Sequence, residues 1–179
     1  MNQKFLCDFY RMTGKKFKRN IKSYLNIMFQ HNVRYMYWWR KRNKKFIGKI
    51  ARVFLFKYSK KYGLEIGNAK IEEGFYLGHP YNITINEESI LGKNINIHKG
   101  ATIGKENRGK KLGAPQIGNN VYIGVNSTVV GKIEIGNDVL IAPNTYVNFN
   151  VPSHSIVIGS PGVIIPNEKA TEGYVNFCV

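Results

Sequence analysis

From Ile85 onward, aliphatic residues return every six positions. The interval runs Ile85, Leu91, Ile97, Ile103, then, after a gap, Ile117, Ile123, Val129, Ile135, Ile141 and Val147 without a slip. Counting each as the first residue of a unit, the fifth is small or β-branched: Ser89, Ile95, Ala101, Val121, Ser127, Ile133, Val139, Thr145, Val151. An amphipathic helix needs a period near 3.6 and a half-buried hairpin strand needs alternation, so a period of six fits neither. It predicts a short strand and a tight turn repeated around a prism, three units to a coil of about 18 residues, with the aliphatic side chains stacked inside. Gly and Asn recur where turns need positive φ. Two irregularities stand out. Ile103 and Ile117 are 14 residues apart, and the polar stretch 105–115 between them is expected to leave the prism as a loop. Leu77 and Ile85 are eight apart, which places a distorted turn at His79.

Upstream the period changes. Ile21 to Gln30 and Ile47 to Tyr62 space apolar residues by threes and fours, as in Ile47, Ile50, Val53 and Phe54, which predicts amphipathic helices. Three or four short helices are expected over 1–62. Gly63, after Lys60 and Lys61, is the expected stop, since Gly accepts the left-handed C-cap and cations suit the negative helix end. The chain therefore divides into a helical region 1–62, a repeat domain 63–165 with its loop 105–115, and a tail 166–179. The fold class is mainly β, a parallel β-helix behind a short α-helical region.

Charge follows the same division. The 179 residues carry a net charge of +16, and 18 of the 27 basic residues lie in 1–62 beside a single acid, Asp8. Fifteen of the 23 aromatics share that segment, Trp38 and Trp39 among them. Such a segment is expected to meet an anionic membrane surface, its aromatics at the headgroups, or to pack on the prism. No nucleic-acid motif accompanies the cations, so nucleic acid is not an expected partner. Two distant cysteines, Cys7 and Cys178, give neither a disulfide framework nor a metal site. No signal-peptide core or bilayer-spanning run is found, so a cytoplasmic location is expected, at most peripheral to the inner face of a membrane.

The run from Ile117 to Val139, closing with Val157-Ile-Gly-Ser-Pro-Gly, resembles the hexapeptide-repeat acyltransferases, in particular serine acetyltransferases and the capsule and colanic acid O-acetyltransferases. The resemblance implies a left-handed β-helix, a homotrimer, and acetyl-CoA as donor in a groove between prisms. Within it, the backbone around Gly124, Val125 and Ala142 would line the pantetheine groove, with Pro143 lacking one N–H donor. Arg108, Lys110 and Lys111 would meet coenzyme phosphates or an anionic sugar, or remain a solvated loop.

Acetyl transfer to a hydroxyl needs a base that works near pH 7, and imidazole suits it. His79, in Leu77-Gly-His-Pro, matches the family's catalytic histidine, and Glu65 in Leu64-Glu-Ile matches the acid that orients it. The bland readings are a structural turn residue and a solvated glutamate. Tyr81 and Asn82 beside His79 are expected on the acceptor side. His98 follows the inward Ile97, so it should face outward near His79, as a site residue or an ordinary surface histidine. His31 and His154 read as surface residues. Where serine acetyltransferases carry an aspartate and a histidine, this sequence has Gly78 and Ala114. That loss of polar partners leads to the expectation of a sugar hydroxyl of a surface polysaccharide, or its precursor, as acceptor, with serine as the alternative.

Overall fold

The computed structural model describes residues 1–179. Four helices open the chain: α1 (Gln3–Thr13), α2 (Ile21–Phe29), α3 (His31–Trp39) and α4 (Ile47–Tyr62). Asn2 and Asn20 cap α1 and α2 by accepting from Lys4 and Ser23 N–H. Gly63 ends α4 at φ 64°, its N–H donating to Ser59 O. No helix is long and apolar enough to cross a membrane.

The six-residue interval then builds a three-sided prism of parallel strands. One face stacks β1 (Glu65–Ile66), β4 (Thr84–Ile85), β7 (Thr102–Gly104), β10 (Thr128–Val130) and β13 (Tyr146–Val147). The second stacks β2 (Lys70–Ile71), β5 (Ile90–Leu91), β8 (Gln116–Ile117) and β11 (Glu134–Ile135). The third stacks β3 (Tyr76–Gly78), β6 (Asn96–His98), β9 (Val121–Ile123), β12 (Val139–Ile141) and β14 (Ser155–Ile158), with β15 (Val163–Pro166) antiparallel to β14. Equivalent aliphatics sit directly above one another: Leu77 on Ile97, Ile97 on Ile123, Ile123 on Ile141, Ile141 on Val157. All five are fully buried.

Residues 105–115 leave the prism between β7 and β8. Glu106 and Gly113 exchange both backbone hydrogen bonds at 3.0 Å, which closes the excursion as a small hairpin. At the corner between the second and third faces, asparagines stack on one another: Asn119 accepts from Lys93 N–H at 2.8 Å, and Asn137 accepts from Asn119 N–H at 2.7 Å.

A buried ion pair fastens the helices to the prism. Arg40 grips both carboxylate oxygens of Asp8 at 2.7 and 3.0 Å and also donates to Ile71 O and Glu72 O, while Phe75 N–H donates to Asp8. The tail folds back across the third face. There Tyr174 packs on Tyr122, Asn176 O accepts from Arg11, and Thr171 donates to Asp138.

One apolar pattern divides in two, and one expectation about the aromatics fails. Ile50 and Val53 of α4 face solvent, because Gly48, Ala51, Phe54, Leu55 and Tyr58 form a separate inner stripe. The tryptophans face inward: Trp39 is buried and its indole N–H donates to Ile66 O, and Trp38 stacks on Phe54 at 4.5 Å.

Candidate active site

The edge between the third and first faces is made by the turns after β3, β6, β9 and β12. Their rungs are regular: Gly100 N–H donates to Tyr81 O at 2.9 Å, Asn126 N–H to Lys99 O at 3.0 Å, and Asn144 N–H to Val125 O at 2.8 Å. The lowest turn is the distorted one, and His79 occupies its left-handed position at φ 47°. Few non-glycine residues adopt this conformation, which costs free energy that the surrounding packing has to offset. The imidazole of His79 is solvent-exposed on this edge.

One coil above, His98 is the register partner of Gly78. Its ring centroid is 6.4 Å from that of His79 and 4.7 Å from Tyr122, and its Nε2 is buried without a partner. Burial, then the neighbouring His79, lowers its pKa to about 4, so His98 is neutral at pH 7. A Cβ at Gly78 would come within 3.0 Å of the His98 ring, nearest its Cε1 and Nδ1. The glycine is therefore the space into which this imidazole fits. Beside it a cavity of about 450 Å³ lies between α1, the third face and the tail, lined by Arg11, Tyr76, Asn96, His98, Tyr122 and Tyr174. Arg11 itself is occupied, since it donates to Gly74 O, Asn96 and Asn176 O.

His31 departs from its expected surface position. As the first residue of α3 it is half-buried, packed on Tyr62 at 5.1 Å and Tyr81 at 5.3 Å, and its Nε2 has no partner. Burial, then Arg34 and His79, lowers its pKa. Nothing local in the sequence signals this approach, which depends on α3 docking against β3. By contrast the pairing of Gly78 with His98 was available from the repeat, because aligning Leu77 with Ile97 sets the next residues side by side.

The remaining residues divide. Glu65 is exposed on β1, and its carboxylate makes no ion pair or hydrogen bond with His79. Tyr81 is exposed against His31 and Tyr62, whereas Asn82 is a corner residue whose N–H donates to Tyr62 O. On the donor side, Gly124 N–H and Ala142 N–H are already engaged with Ile141 O and Val157 O, both at 2.9 Å. Only Val125 N–H has no acceptor, and it stands on the same edge as His79. Arg108 and Lys110 are exposed in the hairpin, but Lys111 is held by Asn148 O. His154 is exposed and paired with Asp138 at 3.0 Å, away from the His79 edge.

Comparison with known proteins supplies the context. Residues 114–148 match the family described as bacterial transferase hexapeptide (six repeats). Serine acetyltransferase of Staphylococcus aureus (strain Mu50) is 34% identical over 128 residues, 71% of this chain and 57% of its own length. That of Staphylococcus epidermidis (strain RP62A) is 34% identical over 125 residues, 69% and 55%. The chain thus spans little more than half the length of these relatives. Among solved structures, Neisseria gonorrhoeae serine acetyltransferase in complex with serine superposes with TM-score 0.74 at 24% identity, over 91% of this chain and 68% of the other. Entamoeba histolytica serine acetyltransferase 1 in complex with L-cysteine gives 0.70 at 21%, over 88% and 62%. The prism is accordingly a left-handed β-helix. The expected sugar acceptor is overturned: the similar proteins, by sequence and by structure, are serine acetyltransferases. Loss of polar groups at Gly78 and Ala114 was the ground for that expectation, and at position 78 the structure supplies another reason, the room taken by His98.

Proposed function

Because the chain carries the hexapeptide repeat of bacterial transferases, we propose that it is an acetyl-CoA-dependent O-acetyltransferase acting on the hydroxyl of L-serine, working as a homotrimer of prisms. The observation that carries this reading is the prism edge on which the His79 imidazole and the unpaired Val125 N–H stand two coils apart, about 10 Å at ordinary strand spacing. Acetyl-CoA as substrate fits along that edge: Val125 N–H is free for an amide carbonyl of pantetheine, and Arg108 and Lys110 for phosphates.

In the reaction His79 accepts the hydroxyl proton as the serine oxygen attacks the thioester carbonyl. The C–O bond forms, the C–S bond breaks, and the imidazolium returns its proton to the leaving thiolate. Neutral His98 adds a hydrogen-bonding nitrogen beside this centre without adding charge. Tyr81 borders the acceptor side, and Glu65, the orienting acid that the family resemblance implies, makes no contact with His79 here and would have to turn toward it.

The test is coenzyme A thiol release that depends on L-serine, with O-acetylserine identified by mass. His79→Asn is the informative variant, because Asn tolerates the left-handed backbone that Ala would strain. Turnover should fall roughly 10²- to 10⁴-fold with acetyl-CoA binding unchanged, and Glu65→Gln should lose less. Absence of serine-dependent release from the wild type, or near-normal turnover in His79→Asn, would overturn the reading.

A further inference from the structure

The outer face of α4 has no role in the acetyl transfer. Four large apolar residues lie along it: Phe46, immediately before the helix, at 83% exposure, then Ile50 at 53%, Val53 at 59% and Phe56 at 64%. Steps of four, three and three residues keep them on one side of a helix. Lys49, Arg52, Lys57, Lys60 and Lys61 are exposed among them. The opposite side, with Gly48, Ala51, Phe54 and Leu55, is the one packed inward. The helix thus has two apolar stripes, and folding satisfies only one.

Charge identifies what the other meets. Asp8 is the only acid before Glu65, and it is buried and neutralised by Arg40, so the helical region presents cations with no exposed negative charge. A second copy laid on the same face would bring like charges together. A solvated helix would explain the lysines but leave Phe46 and Phe56 in water. Cations flanking a line of apolar side chains parallel to the helix axis fit a surface that is anionic outside and hydrocarbon beneath. Phe46 and Phe56, rather than Trp38 and Trp39, are the aromatics placed to enter such a surface.

We infer that the outer face of α4 docks the protein on an anionic phospholipid bilayer, with Phe46, Ile50, Val53 and Phe56 inserted and the flanking lysines and Arg52 on the headgroups. The inference is independent of the acceptor assigned above. Co-sedimentation of the full chain with phosphatidylcholine vesicles, with and without about 30% phosphatidylglycerol, tests it. Binding should require the anionic lipid and be released as salt shortens the Debye length from about 8 Å toward 3 Å. Each cation near such a surface changes partitioning about fivefold, so Lys49→Gln/Arg52→Gln/Lys60→Gln should weaken it roughly 100-fold. Phe46→Ser/Ile50→Ser/Val53→Ser/Phe56→Ser should also abolish binding while keeping the wild-type melting temperature and acetyltransferase rate, since these side chains are exposed. Equal recovery in the supernatant with both lipids would overturn the inference. So would undiminished binding of either variant. A smaller sedimentation mass for the serine variant, without vesicle binding by the wild type, would make the face a contact between copies and overturn it too.

Discussion

Replacing Gly78 by Ala perturbs the candidate site by one carbon. That carbon would fall within 3.0 Å of the His98 ring, against Cε1, Nδ1 and Nε2 together, so the imidazole must move. It has little room: Tyr122 lies 4.7 Å away between centroids and Tyr76 6.2 Å away on the same face. Overpacking of this kind costs about 1–3 kcal/mol. For a chain of this length each kcal/mol lowers the melting temperature by roughly 2–4 °C, so Gly78→Ala should lower it by about 2–12 °C. Gly78 is an ordinary extended strand residue, where Ala should otherwise be better by about 0.5–1 kcal/mol. In a His98→Ala background the same substitution should therefore be neutral or stabilising. The thermal double-mutant cycle should give a coupling of about 1–4 kcal/mol. Equal costs in both backgrounds, or an unchanged melting temperature for Gly78→Ala alone, would refute the claim that the glycine exists to seat this histidine.

Burial of His98 also sets a pH dependence. With its folded pKa depressed to about 4, the unfolded chain binds the proton first, so stability falls as pH drops below about 6.5 and levels off below 4. Allowing for the ring's partial exposure, the loss is on the order of 1–2 kcal/mol, and urea melts of His98→Leu should lack it. Asp8→Ala strands the Arg40 guanidinium inside the protein and should cost about 3–5 kcal/mol, on the order of 10 °C. Replacing both partners with apolar residues should recover much of that loss, and a double variant as unstable as Asp8→Ala would contradict it.

The prism was legible because its signal is local and repeated: the beat from Ile117 to Val147 fixes which side chain lies above which, and the 14-residue gap located the hairpin. The helices were less legible. Residues of α4 carry apolar groups on two sides, and periodicity alone cannot tell which side the prism covers. At the site, His79 was visible from its distorted turn, and the pairing of Gly78 with His98 could have been computed from the register. The approach of His31 could not, since it arises from contacts between segments about 50 residues apart. Backbone donors were the least visible: the sequence marks Gly124 and Ala142 as small, but only the hydrogen-bond ladder reveals that their N–H groups are already taken.

The hairpin closed by Glu106 and Gly113 gives the protein something like a punctuation mark in a reading frame. Inside the coils the frame is strict: deleting one residue between Ile117 and Val151 would slide every later aliphatic off its stack and turn it toward water, because inward positions alternate with outward ones. Across the hairpin the frame is suspended. Ile103 stacks on Val129 despite the extra residues between them, and Gly109 at its tip has no atoms within 4 Å of where a side chain would begin. New sequence can enter this chain at Gly109 without shifting a single rung above it, whereas within the regular coils from Ile117 to Val151 an addition must come as a whole coil.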